Sequence, residues 1–196
     1  RHYPHGTWAA HLLGYAGEIN DVELDSLGVD GYRSGDLIGR TGVERSYEEI
    51  LRGVDGAEFV VVNAAGKRVS TLSEGPPQLP VPGHDLVLTV DLKVQEALEE
   101  VMADVDRGAA VAIDPRDGGV LGLVSRPNYD PNEFSVGLSV DRWRELSNGG
   151  ANPLLDRAIQ GVYPPGSTFK IVTMLAALRN HVAGPDTRLA PCGGKY

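Results

Sequence analysis

Tyr163-Pro164-Pro165-Gly166-Ser167-Thr168-Phe169-Lys170 runs directly into Ile171-Val172-Thr173-Met174-Leu175-Ala176-Ala177-Leu178, and the reading of this junction decides the rest of the chain. Two prolines and a glycine fix a turn, because proline cannot sit in a helix interior and glycine accepts the turn dihedrals. Ser167 therefore falls at or near the first residue of a helix that reaches about Arg179 and stops before Gly184-Pro185. Ser and Lys at i and i+3 are neighbours on a helix surface, so the amine lies within approach of the hydroxyl. The unpaired N–H groups and positive dipole end of a helix start favour developing negative charge. A hydroxyl, a nearby base and an electrostatic sink are what nucleophilic acyl transfer requires. A structural reading competes: Ser167 as a helix cap and Lys170 reaching solvent along its stem. A bare Ser-x-x-Lys is short enough to arise by chance, so its weight comes from its surroundings.

The residues after Lys170 are apolar on every face, which predicts a helix buried all round with only its end accessible. Upstream, Arg126 to about Ala151 reads as a long irregular segment. Ala109–Ile113 and Val120–Val124 are short apolar runs joined by Asp114-Pro-Arg-Asp-Gly-Gly119, the pattern of an antiparallel hairpin. Before it, Asp91 is a natural N-cap for a helix whose apolar face is Val94, Ala97, Leu98, Val101 and Val105 and which Gly108 ends. Leu86–Val90 reads as a strand.

Glu74-Gly-Pro-Pro-Gln-Leu-Pro-Val-Pro-Gly83 holds four prolines in ten residues and is the expected boundary between two domains, 1–83 and 84–196. Ahead of it, Phe59–Val62 and Arg68–Leu72 flank Asn63–Lys67 as a second hairpin. Gly42–Arg52 reads as one short helix with Tyr47, Ile50 and Leu51 on its apolar side. Glu18–Gly35, acidic and glycine-rich, reads as a solvated loop. Trp8, Ala9, Leu12 and Leu13 have helical spacing that Gly14 ends. The fold class is α+β.

A formal charge of −9 over 196 residues excludes nucleic acid as a natural partner, since no surplus of Lys and Arg exists to neutralise phosphates. The single cysteine, Cys192, allows no intrachain disulfide and decides nothing about compartment. No run approaches the roughly 20 apolar residues of a membrane span. His2, His5 and His11 match no standard ligand spacing, and the carboxylates of residues 18–30 lack a calcium-loop pattern, so no metal is expected. Glu44 and Arg52 are expected to form ion pairs or caps.

Pro153-Leu-Leu-Asp-Arg-Ala-Ile-Gln-Gly-Val-Tyr-Pro-Pro-Gly-Ser-Thr-Phe-Lys170 resembles the block that opens the active site of class B penicillin-binding proteins, whose first motif is Ser-x-x-Lys. Further blocks follow in the order that family would have them. Arg1-x-Tyr3-Pro4-x-Gly6, Ala9-Ala10-His11, Gly14-Tyr15-x-Gly17, Gly39-x-x-Gly42-x-Glu44 and Leu51-Arg52-Gly53-x-Asp55-Gly56 look like the non-catalytic pedestal. Leu88-Thr89-Val90-Asp91-x-x-x-Gln95 looks like the entry to the transpeptidase domain, and Gly108–Pro115 with Val120–Asn132 like its first hairpin. Asn128-Tyr129-Asp130-Pro131-Asn132-x-Phe134 and Tyr163-Pro-Pro-Gly-Ser167 are closer to the elongation type, penicillin-binding protein 2. Asp156, where the family usually has Asn, reads as a tolerated change.

The resemblance implies a pedestal (1–83) followed by the first part of a serine transpeptidase domain (84–196). It implies a serine D,D-transpeptidase in which Ser167 attacks the penultimate D-alanine carbonyl of a peptidoglycan stem peptide, with Lys170 as its base. β-Lactams would acylate the same serine. It further implies an inner-membrane protein facing the periplasm, a partner in the membrane glycosyltransferase of the elongation machinery, and no metal or organic cofactor. The family's Ser-x-Asn and Lys-Thr-Gly motifs do not occur in these 196 residues, so the sequence is expected to be part of a longer protein. A polypeptide with Ser167 and Lys170 alone is expected to be inert toward β-lactams. The alternatives are a serine β-lactamase or β-lactam sensor, which the pedestal-like blocks oppose, and a module that only docks a partner.

Overall fold

The structure, a computed structural model, describes residues 1–27, 31–71 and 78–188. The chain divides into two compact units, Arg1–Gly161 and Val162–Tyr196.

In the first unit the N-terminal turns lead into α1 (Ala10–Leu13), which ends at Gly14 as its spacing predicts. Gly14 has φ +77°, and a Cβ there would lie 1.9 Å from the Thr41 carbonyl oxygen, so no other residue fits this crossing. β1 (Ala16–Glu18) pairs antiparallel with β2 (Leu37–Gly39). Between them the expected loop holds a helix, α2 (Asp21–Leu27). It starts on a reciprocal cap: the Glu23 N–H donates to Asn20 Oδ1 at 2.9 Å, and the Asn20 N–H donates to Glu23 Oε2 at 3.1 Å. Acidic composition points to solvation, which is right for the side chains and wrong for the backbone. The single helix expected over 42–52 is two, α3 (Gly42–Ser46) and α4 (Glu48–Leu51). Tyr47 interrupts them with φ −121° and ψ 22°. The carboxylate of the buried Glu48 then accepts the Gly39 N–H at 2.9 Å and the Tyr32 hydroxyl at 3.3 Å.

β3 (Val60–Val62) and β4 (Arg68–Thr71) form the predicted hairpin, its loop held by Asn63 Oδ1, which accepts from Ala65 and Lys67 N–H groups at 3.0 Å each. Leu72, the expected end of that strand, and residues 74–77 of the proline-dense stretch lie outside the described residues; beyond them Gln78 and Val81 bridge back to Ala57 and Val54. Leu86–Val90, expected as a strand, is no strand here. Its side chains suit one, but it meets the neighbouring segment near its end, without a ladder. Thr89 Oγ1 donates to the Val120 carbonyl at 2.8 Å, and the Asp91 N–H to that of Leu121 at 2.9 Å.

α5 (Leu92–Val101) starts at Asp91, whose side chain accepts the N–H groups of Lys93 and Val94. It closes at Met102, six residues before the expected stop, and Gly108 instead opens β5 (Gly108–Ile113). β5 pairs antiparallel with β6 (Val120–Arg126), from Gly108 opposite Arg126 to Ile113 opposite Val120. The segment expected to be irregular contains α6 (Asn132–Ser135) and α7 (Val140–Asn148). Ser139 caps α7 by accepting the Arg142 N–H at 3.2 Å, and Leu146 is its buried anchor. Ala10, Tyr129, Phe134 and Leu146 form a core cluster, with Tyr15, Leu138 and Leu154 packed against it.

In the second unit a 3₁₀ turn (Gly166–Thr168) feeds α8 (Phe169–Arg179). No residue of α8 is buried, and Phe169, Ile171, Val172, Met174 and Leu175 are 54–61% exposed. The burial on every face expected from its composition is therefore not met within the described residues. A helix apolar all round hides its sides only against surrounding chain.

Candidate active site

Ser167 is the middle residue of the 3₁₀ turn, and Lys170 is the second residue of α8. Gly166 makes this entry with φ +52°, and the Thr168 hydroxyl donates back to the Pro165 carbonyl, closing the turn. Phe169 N–H is shared between the carbonyls of Gly166 and Ser167 as the 3₁₀ turn passes into the α-helix. Both candidate residues are exposed. Ser167 thus lies in the turn at a helix start, with Lys170 three residues on.

The segment leading to this turn is held by a dense set of bonds inside the first unit. Ser125 Oγ, buried in β6, donates to the Leu155 carbonyl at 3.2 Å and accepts the Arg157 N–H at 3.0 Å. The Arg157 guanidinium folds back to donate to the carbonyls of Ala151 at 2.6 Å and Asn152 at 3.0 Å. Asp156 accepts the Ala158 N–H at 2.9 Å, so the residue that departs from the family pattern caps a local turn. His11 Nε2 lies 2.7 Å from the Pro153 carbonyl oxygen.

Behind this, α5 turns two polar residues inward: Gln95 is 2% and Glu99 6% exposed. The Gln95 amide bonds both ways with the Leu123 backbone, donating at 3.0 Å and accepting at 2.9 Å. Glu99 accepts from Gln95 at 2.9 Å, from the Ala9 N–H at 3.0 Å and from Arg126 at 2.9 Å. Spacing alone places Glu99 on the solvated side of this helix. The signal available is the pair at i and i+4 in line with Met102, which marks one face. Other bonds run from the N-terminal segment: Asn132 brackets the Tyr3 backbone with two bonds of 2.9 Å, and the Tyr129 hydroxyl donates to the Ala10 carbonyl at 3.0 Å.

Burial sets the titration of the groups here. It pushes the Tyr129 phenol well above its ordinary range, and Tyr3 likewise, the latter helped by the Glu44 carboxylate that its hydroxyl faces. Burial lowers His11 below 6.5 against the opposing pull of the Pro153 carbonyl. Glu44 and Arg52 are ion-paired as expected, Glu44 with Arg1 at 3.2 Å and Arg52 with Asp36 at 3.6 Å, while Arg52 also lies 3.4 Å over the Tyr32 ring. His5 stacks on Trp8 at 5.3 Å. Among the described residues no group of three or more His, Cys, Asp or Glu could hold a metal ion, and no helix is long and apolar enough to cross a membrane. Cys192 lies outside the described residues.

Comparison with known families finds the penicillin-binding protein dimerisation domain over residues 1–88 and the penicillin-binding protein transpeptidase domain over residues 108–196. The chain belongs to the penicillin-binding proteins, and it carries a pedestal followed by the start of a transpeptidase domain. Among curated relatives it is similar to the peptidoglycan D,D-transpeptidase MrdA of Escherichia coli, 45% identical over 193 residues, which takes in 96% of this chain and 30% of that protein. The MrdA of Acinetobacter baumannii is 41% identical over 193 residues, or 98% of this chain and 28% of the relative. The chain thus spans under a third of the length of these relatives. Among solved structures, Pseudomonas aeruginosa PBP2 in complex with WCK 5153 matches with a TM-score of 0.77 and 38% identity, over all of this chain and 40% of that one. PBP2 of Helicobacter pylori in complex with MreC matches with a TM-score of 0.76 and 32% identity, over 95% of this chain and 34% of that one.

Proposed function

We propose that this chain is part of an elongation-type peptidoglycan D,D-transpeptidase working through a serine acyl-enzyme. The observation that carries the reading is Ser167 in the turn that opens α8, with Lys170 one turn on. Lys170 takes the Ser167 proton as the oxygen attacks the penultimate D-alanine carbonyl of a stem peptide. The terminal D-alanine leaves with a proton, and the amine of a neighbouring stem then attacks the ester, freeing the serine and forming the cross-link. A β-lactam offers the same serine a strained amide whose opened ring stays attached. The domain boundary at about residue 83 belongs to this proposal, as do the periplasmic face of the inner membrane and a membrane glycosyltransferase as partner. The MrdA and PBP2 relatives support it through their names and their likeness over nearly the whole chain.

The test uses the full-length protein with pentapeptide stems as donor and acceptor, measuring released D-alanine and cross-linked product. Both are expected, in equal amounts where acceptor is in excess. Rapid turnover of a β-lactam without cross-linking would instead identify a β-lactamase, and no covalent chemistry at all would leave a docking module.

A further inference from the structure

Thr168 stands between the two residues on which the proposed chemistry rests, and both of its hydrogen-bond donors go to one atom. Its N–H donates to the Pro165 carbonyl at 3.2 Å, and its hydroxyl donates to the same oxygen. A carbonyl oxygen has two lone pairs, so Thr168 alone occupies that of Pro165. An α-helical turn would need this oxygen for the N–H of Phe169. The Phe169 N–H goes instead to the carbonyls of Gly166 and Ser167. The dihedrals agree: ψ is −27° at Thr168 and −17° at Phe169, close to 3₁₀ geometry and well short of the α value of about −42°. These are the two residues that link Ser167 to Lys170. In 3₁₀ winding, residues i and i+3 stand in line along the axis, whereas α winding offsets them by about 60°.

We propose that Thr168 is a positioning residue for the acyl-transfer reaction: its hydroxyl keeps the entry to α8 wound as a 3₁₀ turn, which holds Ser167 in line with Lys170. The proposal rests on Ser167 being the nucleophile and Lys170 its base. Proton transfer needs hydroxyl and base within hydrogen-bond reach, so a small swing of one against the other is felt in the rate. Without the Thr168 hydroxyl, a lone pair of the Pro165 carbonyl opens to the Phe169 N–H, and the turn slackens toward α winding. Thr168 acts through the angle between its neighbours. Removing its hydroxyl therefore slows the acylation step and leaves the binding that precedes it unchanged.

The experiment uses the full-length protein and benzylpenicillin as the acylating probe. The acylation rate at saturation and the dissociation constant of the preceding complex are measured separately, per folded molecule. Thr168→Val keeps the branched shape and removes the donor. It is expected to slow acylation roughly tenfold, short of the ~10² that loss of the base costs, with the dissociation constant unchanged. Thr168→Ala should repeat that loss, and it carries the test if Thr168→Val does not fold. Thr168→Ser returns the donor and should return the wild-type rate. The deciding measurement places Thr168→Val in a Lys170→Ala background: with the base gone its alignment counts for nothing, and the second change should alter the rate little. An equal loss in both backgrounds would overturn the proposal, since a residue that only props the turn acts whether or not Lys170 is there. An unchanged rate in Thr168→Val, or no recovery in Thr168→Ser, would overturn it too. A wild type that forms no adduct on Ser167 refutes the proposed function, and this proposal with it.

Discussion

The buried polar network around Glu99 and the exposed turn around Ser167 are opposite solutions to holding a side chain in place. Glu99 shares its carboxylate among three partners from three segments: Gln95 of its own helix, Ala9 and Arg126. Ser167 sits in a three-residue 3₁₀ turn, on a helix with no buried residue, where local bonds set its conformation. The first arrangement fixes position through long-range partners and cannot react. The second leaves its hydroxyl available for chemistry and takes its direction from the turn geometry and from a proline-stiffened lead-in. Substitutions in the two regions should therefore separate, one set acting on stability and the other on rate.

The largest expected effect is in the network. Glu99→Ala strips the carboxylate from Arg126, leaving it only the backbone carbonyl of residue 99, and a bond from the Ala9 N–H, and should cost about 3 kcal/mol of stability. Thermal or denaturant unfolding measures it; a loss below about 1 kcal/mol would mean that water reaches the site and the network is dispensable. Lys170→Ala should come next, slowing acylation by about 10² while leaving the unfolding midpoint nearly unchanged. A near-normal rate would make Lys170 a solubilising residue. Asp91→Ala removes the α5 cap and should cost about 1 kcal/mol, with no change in acylation rate per folded molecule. Acidification gives a smaller stability effect with a defined sign. His11 titrates lower when folded than when unfolded, so the unfolded chain binds more protons and stability falls as pH drops below 6.5. His11→Gln should flatten that part of the stability curve.

Local patterns make the two hairpins, the Asp91 cap and the turn at Gly166 legible in the sequence. Each is written in adjacent residues: Asn63 ahead of Gly66, Asp before a helix face, two prolines and a glycine before Ser167. The inward turn of Glu99 is not legible, because its reason lies in residues 9 and 126. Nor is the bond from His11 to Pro153, whose partner is a backbone carbonyl and leaves no mark in side-chain chemistry. Two helices escape a sequence reading for a different reason. α2 and α7 are short and polar, and their signals, Asn20 with Glu23 and Ser139 ahead of Arg142, are caps that composition overrides. For the site itself, residue type and spacing name Ser167 and Lys170, while the bonds that Ser125 and Arg157 make over residues 151–157 emerge only from the fold.

The central claim is that one hydroxyl in this chain, that of Ser167, is the acylated nucleophile. Its most direct test is the intact mass and peptide map of full-length protein after reaction with a fluorescent penicillin. The account predicts one adduct per molecule, on the peptide containing Ser167, and none in Ser167→Ala. An adduct on another residue, or undiminished labelling of Ser167→Ala, would contradict it.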